Sequence, residues 1–274
     1  MQVIYKRLLG MENLNLIYFS PTNTTQKIIR AVGLDLGIKQ INEYNITTTD
    51  KYIPEIESSK NDLTIIAAPV YGGRVPLDVV KKLEKIQVDN APVVLIVVYG
   101  NRAYEDSLLE LKNIAHACGF RTIAAAAFIG EHSYSTNNIP IAEGRPDKND
   151  FLKCREFSKK IKNKIIDLKN LNGLTELVVP GNYPYKERGI FKPLSPETDA
   201  ANCTTCKICE SVCPTNAIKV NTEVVTNKNV CIWCCACVKA CPEDARFFKN
   251  PTIDRISEKL ATLCKERREP CFFI

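Results

Sequence analysis

A duplicated cysteine pattern near the carboxyl end constrains the fold of this 274-residue chain more tightly than any other feature. The first copy is Cys203-x2-Cys206-x2-Cys209-x3-Cys213-Pro214, and the second is Cys231-x2-Cys234-x2-Cys237-x3-Cys241-Pro242. Three thiolates spaced by two residues can surround one compact metal–sulfur core, whereas the fourth points toward the other copy. The spacing therefore predicts a small duplicated module built around two 4Fe-4S clusters.

The ligation rule for two-cluster modules gives the fourth cysteine of each copy to the other copy's cluster. The first predicted ligand set is Cys203, Cys206, Cys209 and Cys241, and the second is Cys231, Cys234, Cys237 and Cys213. Structural zinc and disulfides are the alternatives. Zinc more often uses two separated CxxC pairs, and a cytoplasmic protein keeps its thiols reduced, so both alternatives are disfavoured.

The residues between the ligands form a largely apolar shell, which limits water at the clusters. In the repeat, Ile208, Val212, Ile218 and Val220 correspond to Ala236, Ala240, Arg246 and Phe248. The other cysteines have no partner pattern, and no chemistry is assigned to them: Cys118, Cys154, Cys235, Cys264 and Cys271.

The chain divides into two chemically different parts. Only Cys118 and Cys154 precede residue 200, and 274 residues is about twice the roughly 150 expected of one domain. A proline-rich stretch without helical or strand periodicity begins at Pro180 and is typical of a connector. The predicted divisions are a first domain at 12–179, a connector at 180–198 and a second domain at 199–274.

Composition excludes several classes of protein. With 45% hydrophobic and 25% charged residues, the chain is expected to fold. No apolar run approaches the roughly 20 residues of a membrane span, and the first 16 residues lack an export-signal pattern, which predicts a soluble cytoplasmic protein. The net charge of +6 comes without a dense Lys/Arg block, so nucleic acid is not an expected partner.

Before the connector, short apolar runs alternate with amphipathic ones, which indicates a parallel sheet covered by helices on both faces. The predicted strands span 14–19, 41–46, 63–68, 93–99 and 122–129. The predicted helices span 25–36, 77–85, 104–118 and 150–168. This pattern predicts an α/β three-layer sandwich with a five-stranded parallel sheet in the order 2-1-3-4-5. Ligands of such sheets bind beyond the carboxyl ends of the strands.

The loop after the first predicted strand is rich in hydroxyl groups and runs directly into a helix. It reads Ser20-Pro21-Thr22-Asn23-Thr24-Thr25. Backbone N–H groups at the helix start, together with these hydroxyls, can bind a phosphate, although a plain N-cap is the alternative. The chain has neither GxxxxGK[ST] nor GxGxxG at this loop, which disfavours ATP, GTP and Rossmann-bound dinucleotides.

Two further loops at successive strand ends place an aromatic residue beside glycine. They contain Pro69-Val70-Tyr71-Gly72-Gly73 and Tyr99-Gly100-Asn101, the latter followed by Tyr104. Glycine allows close backbone approach to a planar ligand, and tyrosine can stack on it. Ordinary packing of these tyrosines on helices is the alternative, but three loops at one sheet edge favour a shared crevice.

These residues resemble the flavodoxin-like domain and, more closely, the flavodoxin–ferredoxin fusion proteins of anaerobic bacteria and archaea. The resemblance depends on YFSPTNTT, APVYGGRVP, YGNRAYED, FIGEHS, the doubled cysteine motif and the ending REPCFFI. It implies FMN with its phosphate on Ser20, Thr22, Asn23, Thr24 and Thr25, and its ring between the loops at Tyr71 and at Tyr99 to Tyr104. Asn23 and Thr24 replace the usual Gly and Asn, but Asn tolerates the left-handed backbone that this turn needs.

Two further predictions concern His132 and the residues near the carboxyl end. His132 could approach a ligand at the sheet edge, although a packing role is favoured. Residues 253–268 have apolar side chains at helical spacing and are predicted to form a helix that docks onto the second domain, with Phe272 and Phe273 holding the tail.

FMN handles two electrons and each 4Fe-4S cluster passes one, so the favoured function is an electron relay between FMN and two clusters. Donor and acceptor redox proteins are the implied partners, and a homodimer is left open. A ferredoxin with a flavin-free docking domain is the second hypothesis. A redox sensor is the third, disfavoured because the chain has no recognisable DNA-binding or signalling module.

Overall fold

The computed structural model describes residues 11–48, 58–167, 174–189 and 193–274. Three stretches discussed above lie outside these ranges: residues 1–10 of the segment considered for an export signal, the predicted helix end at residue 168, and connector residues 190–192. Within them, no helix is long and apolar enough to cross a membrane.

The first part of the chain is a parallel sheet whose central strands are largely apolar. Its strands are β1 (Asn13–Tyr18), β2 (Gln40–Asn45), β3 (Leu63–Pro69), β4 (Ala91–Tyr99) and β5 (Phe120–Ile129). Their order in the sheet is β2-β1-β3-β4-β5, which confirms the predicted order. β4 is buried along its whole length because helices cover both faces of the sheet.

The sheet also has a sixth strand that the sequence analysis did not predict. Residues Cys271–Phe273 form the edge strand β10, which pairs antiparallel with β5. The prediction of five strands was therefore one strand short, and the tail predicted to belong to the second domain lies on the first sheet. A three-residue strand has too few residues for a periodic pattern, so its pairing is set by the tertiary fold.

Four helices cover the two faces of this sheet. They are α1 (Thr24–Leu36), α2 (Leu77–Leu83), α3 (Ser107–Ala117) and α4 (Lys148–Asp167). Helices α1 and α4 share one buried apolar cluster with the sheet, and α2 and α3 share the other. The aromatic ring of Phe272 in β10 stacks on Phe157 of α4 at 5.0 Å between ring centroids, which fixes the tail against the sheet.

The first half of the connector is held against the first sheet rather than free. The Asp106 carboxylate, just before α3, accepts hydrogen bonds from the backbone N–H groups of Asn182 (2.8 Å) and Lys186 (2.7 Å). The buried Glu110 carboxylate accepts hydrogen bonds from both Arg74 and Arg188. These bonds fix the path of the connector between the two parts of the molecule.

The cysteine-rich part is built from short elements. They are β6 (Glu197–Thr198), α5 (Ile208–Ser211), β7 (Ile218–Val220), β8 (Val224–Thr226), α6 (Ala236–Lys239), β9 (Arg246–Phe247) and α7 (Pro251–Leu263). The pairs β6–β9 and β7–β8 are antiparallel. Since β6 pairs with β9, residues 197 and 198, predicted to end the connector, pair with the cysteine-rich part.

Helix α7 ends at Leu263, five residues before the predicted end at Arg268. The polypeptide then follows an extended path to β10 because the buried side chain of Asn101 holds it. The Asn101 Nδ2 donates to the carbonyl oxygens of Cys264 and Glu266, both at 2.8 Å, and its Oδ1 accepts from the Arg268 N–H at 3.1 Å. Asn101 thus ties the tail to the loop after β4.

Replacing Asn101 with Ala should release the tail. The substitution leaves buried carbonyl and N–H groups without partners, which costs about 2 kcal/mol. We expect faster hydrogen exchange at the backbone amides of 271–273, measured by mass spectrometry. Asn113→Ala is the control, because that amide bonds only the connector residue Tyr185. Unchanged exchange in the Asn101 variant would contradict this role.

Candidate functional site

The cysteines of the predicted first ligand set line one cavity. Cys203, Cys206, Cys209 and Cys241 all border it, together with Ile208, Val220, Val224 and Arg246. Cys206 is exposed whereas Cys209 is buried, so this cavity has an edge at the surface. The fourth cysteine comes from the second sequence copy, as the crossed arrangement requires.

The cysteines of the second ligand set line a separate cavity. Cys213, Cys231, Cys234 and Cys237 border it, again with one cysteine from the other copy. Cys213, Cys234 and Cys237 are buried, and Cys231 is half-buried. Among the described residues, all thirteen cysteines are free thiols, and no three His, Cys, Asp or Glu side chains converge closely enough to hold a single metal ion. The thiols of each ligand set therefore surround a cavity and do not converge on the position of a single metal ion.

Repeated left-handed residues shape the two cysteine loops. Thr205 and Lys207 in the first loop have φ values of 52° and 65°, and their counterparts Trp233 and Cys235 both have 58°. Each pair turns the backbone around the space between the cysteines. Cys235 occupies the position of Lys207 in the repeat, and its thiol approaches the Trp233 carbonyl at 3.7 Å. Cys235 also borders the second cavity, and the assignment of no chemistry to it stays a prediction.

Burial raises the thiol pKa values of five cysteines in these loops, because a thiolate is poorly solvated there: Cys209, Cys231, Cys234, Cys235 and Cys237. For Cys209 and Cys237, burial is the largest influence, and the nearby Arg246 guanidinium lowers the pKa in opposition. A positively charged inorganic core would stabilise thiolates in the same way, and more strongly. The loops therefore suit metal-bound rather than free cysteines.

The cysteines outside the motifs have different environments. Cys118, Cys154 and Cys264 are buried, and burial raises the pKa of Cys118 to about 11 and of Cys154 to about 12. Cys271 differs from these three because it is exposed on the edge strand.

A large cleft lies beyond the carboxyl ends of the parallel strands, with a volume of about 590 Å³. This volume lies in the range of cofactor sites. It is lined by predicted ligand residues from all three loops: Ser20, Thr22, Thr24, Thr25, Pro69, Val70, Tyr71, Gly72, Gly73, Tyr99 and Gly100. A Cβ atom on Gly100 would collide with the His132 ring, so this position requires glycine.

One end of the cleft is the amino terminus of α1. Asn23 precedes the helix with φ 63°, the left-handed conformation expected of it, and its side chain forms no cap. The first turn contains no acidic residue. The Thr22 and Thr24 hydroxyl oxygens lie 3.4 Å apart at the helix start, where the Gln26 N–H donates to Ser20 Oγ at 3.0 Å. This end of the cleft is therefore suited to an anion.

Three of the predicted ligand residues do not line the cleft. Asn23 is exposed at the helix start. The Asn101 amide holds the tail, as described above. Tyr104 packs beside Tyr99, with 5.4 Å between ring centroids, rather than facing the cleft. The sequence predicted that these residues lie in loops near the cleft, whereas the directions of their side chains depend on tertiary contacts.

The opposite wall of the cleft comes from the cysteine-rich part, which the sequence analysis did not foresee. Ile232 and Trp233, between Cys231 and Cys234, line the cleft, as do Ile256 and Leu260 of α7. Ile232 also lines the second cysteine cavity. The docking of helix α7 onto the second domain stays a prediction, and the structure places two of its apolar residues at the cleft. The apolar positions 256 and 260 of its predicted stripe were the only sequence signal for this contact.

The two walls are joined by specific polar contacts. The Lys239 ammonium of α6 donates to the Glu131 carboxylate at 3.0 Å and to the Ser135 carbonyl at 2.8 Å. The Trp233 indole N–H donates to the Leu194 carbonyl at 2.9 Å. The rings of Trp233 and Tyr134 both pack edge-on against Phe248. These contacts keep the second cysteine loop at the cleft.

His132 lines the cleft as a neutral imidazole. Burial lowers its pKa to about 4, with smaller effects from Arg102 and Lys239. Its Nδ1 accepts a hydrogen bond from the Tyr134 N–H at 3.1 Å, which fixes the ring in place. His132 therefore contributes shape and packing to the cleft at neutral pH.

The lowered pKa of His132 makes stability depend on pH. In the unfolded state His132 takes up a proton below about pH 6.5, whereas in the folded state it resists protonation down to about pH 4. The free energy of unfolding should therefore fall as the pH drops across this window. Anaerobic unfolding of wild type and His132→Gln at pH 5.5 and 7.5 measures the difference. Parallel losses in both proteins would contradict the assignment.

Comparison with known proteins locates an iron–sulfur segment. A 4Fe-4S binding domain matches residues 196–219, which contain the whole first cysteine copy. The polyferredoxin protein MvhB of Methanothermus fervidus is 37% identical over 71 residues, covering 26% of this chain and 17% of that protein. A polysulfide reductase subunit of Wolinella succinogenes is 37% identical over 71 residues, covering 24% of this chain and 36% of that protein. Each match thus spans well under half of the relative.

Solved flavodoxins align with the sheet-containing part. A flavodoxin from the domain Archaea is 11% identical with a TM-score of 0.39, covering 56% of this chain and 98% of that structure. The FMN-bound Fusobacterium nucleatum flavodoxin is 18% identical with a TM-score of 0.40, covering 56% of this chain and 99% of that structure. The strand order and the helix arrangement described above define the fold independently of these alignments.

Proposed function

We propose that this chain, in which a flavodoxin-like α/β domain precedes a ferredoxin-type 4Fe-4S segment, relays electrons between FMN and two 4Fe-4S clusters. The iron–sulfur segment and the flavodoxin-like fold together suggest electron transfer. We propose FMN as the flavin cofactor, two clusters in the cysteine-rich part, and electron transfer between the flavin and the clusters.

The cysteine cavities support two clusters with crossed ligands. Each cavity is lined by one predicted ligand set, three cysteines from one sequence copy and one from the other, and Cys235 also borders the second cavity. The proposed ligands are Cys203, Cys206, Cys209 and Cys241 for the first cluster. For the second they are Cys231, Cys234, Cys237 and Cys213.

The cleft at the sheet edge fits a flavin phosphate and ring. The start of α1 with Thr22 and Thr24 would hold the phosphate, and the backbone at Tyr71, Gly72 and Gly100 would flank the ring. Bound FMN would supply chemistry that accepts or donates two electrons, one at a time or together. Trp233, Ile256 and Leu260 would exclude water from the ring because they close the apolar side of the cleft.

One observation carries the relay: Ile232 lines both the cleft and the second cysteine cavity. A single residue, Ile232, therefore borders both the proposed flavin site and the second cluster site. The first cavity shares no lining residue with the cleft, and its Cys206 is exposed. This arrangement favours the order FMN, second cluster, first cluster, external partner.

Anaerobic purification with quantified iron, sulfide and FMN tests the proposal. We expect about eight irons and one FMN per chain, followed by stepwise reduction of flavin and clusters in a titration monitored by EPR. Iron without flavin, even after reconstitution with FMN, would favour the flavin-free docking domain instead. A preparation that binds zinc at the cysteines would overturn the cluster assignment.

A further inference from the structure

Arg246 breaks the internal symmetry of the cysteine-rich part. It occupies the position of Ile218 in the first copy, five residues after the last cysteine of its motif. Ile218 is buried among apolar neighbours, as the surroundings of a cluster lead one to expect. The second copy has an arginine at this position, and its side chain is only 3% exposed. A buried cation is costly unless something compensates its charge.

The groups around the Arg246 guanidinium compensate its charge only in part. Its Nη1 and Nη2 donate to Thr198 Oγ1, to the Pro196 carbonyl at 3.1 Å and to Thr226 Oγ1 at 3.2 Å, which are all neutral acceptors. No carboxylate forms an ion pair with Arg246 among the described residues. The Nε atom is buried and has no hydrogen-bond partner in the structure. The side chain therefore keeps a free donor and a full charge.

Arg246 faces both proposed cluster sites. Its side chain lines the first cavity, bordered by Cys203, Cys206 and Cys209. Its Nη2 also lies 3.6 Å from the Sγ of Cys237, a cysteine of the second cavity. One guanidinium thus borders both sets of cysteines.

From this geometry we infer that Arg246 is a shared positioning cation that makes both clusters easier to reduce. The inference depends on the proposed function, because it requires two clusters in these cavities. Reduction adds one electron to a cluster that is already negative, and a nearby buried cation stabilises the reduced form more than the oxidised form. The guanidinium also donates hydrogen bonds toward sulfur, which acts in the same direction.

The test compares Arg246→Met with Arg246→Lys in the full anaerobic protein. Both substitutions remove the forked hydrogen bonds, but only Met removes the charge. At the potential where each wild-type cluster is half reduced, we expect the ratio of reduced to oxidised cluster in the Met variant to be at least ten-fold lower at both sites. That ten-fold change corresponds to about 59 mV for a one-electron couple. The Lys variant should retain most of the wild-type value.

Iron and sulfide content and EPR line shapes provide readouts that are independent of activity. Ile218→Met is the matched control at the equivalent position, and it should leave both potentials unchanged. If Arg246→Met fails to assemble clusters, Arg246→Gln replaces it as the neutral variant. Equal shifts in Lys and Met, a shift at one cluster alone, or no shift would each overturn the inference. Fewer than eight irons in the wild-type protein would instead contradict the proposed function.

Discussion

Replacing Cys206 and Cys213 together with Ser should remove both clusters, although both cysteines belong to the first sequence copy. The two residues line different cavities, since Cys213 borders the space surrounded by Cys231, Cys234 and Cys237. We therefore expect almost no bound iron or sulfide, against about eight irons in the wild type. Anaerobic iron and sulfide analysis with EPR of the reduced protein measures the loss.

A second double variant, Cys213→Ser with Cys231→Ser, should lose only one cluster. It alters both sequence copies but only one cavity, so about four irons should remain. If each copy held its own cluster, the two results would be exchanged. Cys235→Ser is the control, because this cysteine matches the non-ligand Lys207 in the repeat. Loss of a cluster in that control would make Cys235 a ligand and shift the register of the second motif.

The sequence predicted the parts of this protein whose signal lies in a local pattern. The apolar runs ending at Tyr18, Pro69 and Tyr99 fixed the strand order, and the fixed cysteine spacing predicted which thiols share a cavity. Each is a periodic or closely spaced pattern, and patterns of this kind depend little on distant contacts.

Features that depend on contacts between distant segments were not predicted. The edge strand at Cys271–Phe273 exists because β5 offers an unpaired edge, and the role of Asn101 depends on the carbonyl groups of Cys264 and Glu266. The wall formed by Ile232 and Trp233 exists only once the two parts of the molecule meet. Arg246 was placed in the predicted apolar shell, and its buried charge was not predicted either.

Replacing Thr22 with Glu should weaken FMN binding about 100-fold while leaving the clusters in place. Thr22 lies beside the start of α1, where its hydroxyl is 3.4 Å from that of Thr24. A carboxylate here would satisfy the helix N–H groups and repel the phosphate of FMN. Two unit charges about 4 Å apart near a protein surface repel by up to about 4 kcal/mol, and solvent screening reduces this value. We expect FMN affinity to fall about 100-fold.

Thr22→Gln distinguishes charge from shape, because glutamine has nearly the same size but no charge. It should weaken FMN binding far less than Glu does, and Leu34→Glu, at the exposed far end of the same helix, should have no effect. Flavin fluorescence titration of the reconstituted protein measures the three affinities, and iron analysis checks cluster content. Equal loss with Gln and Glu would indicate that the side-chain shape, rather than the anion site at α1, controls binding. Unchanged affinity in all three variants would mean that the phosphate binds elsewhere, because a carboxylate at the phosphate subsite must weaken FMN binding.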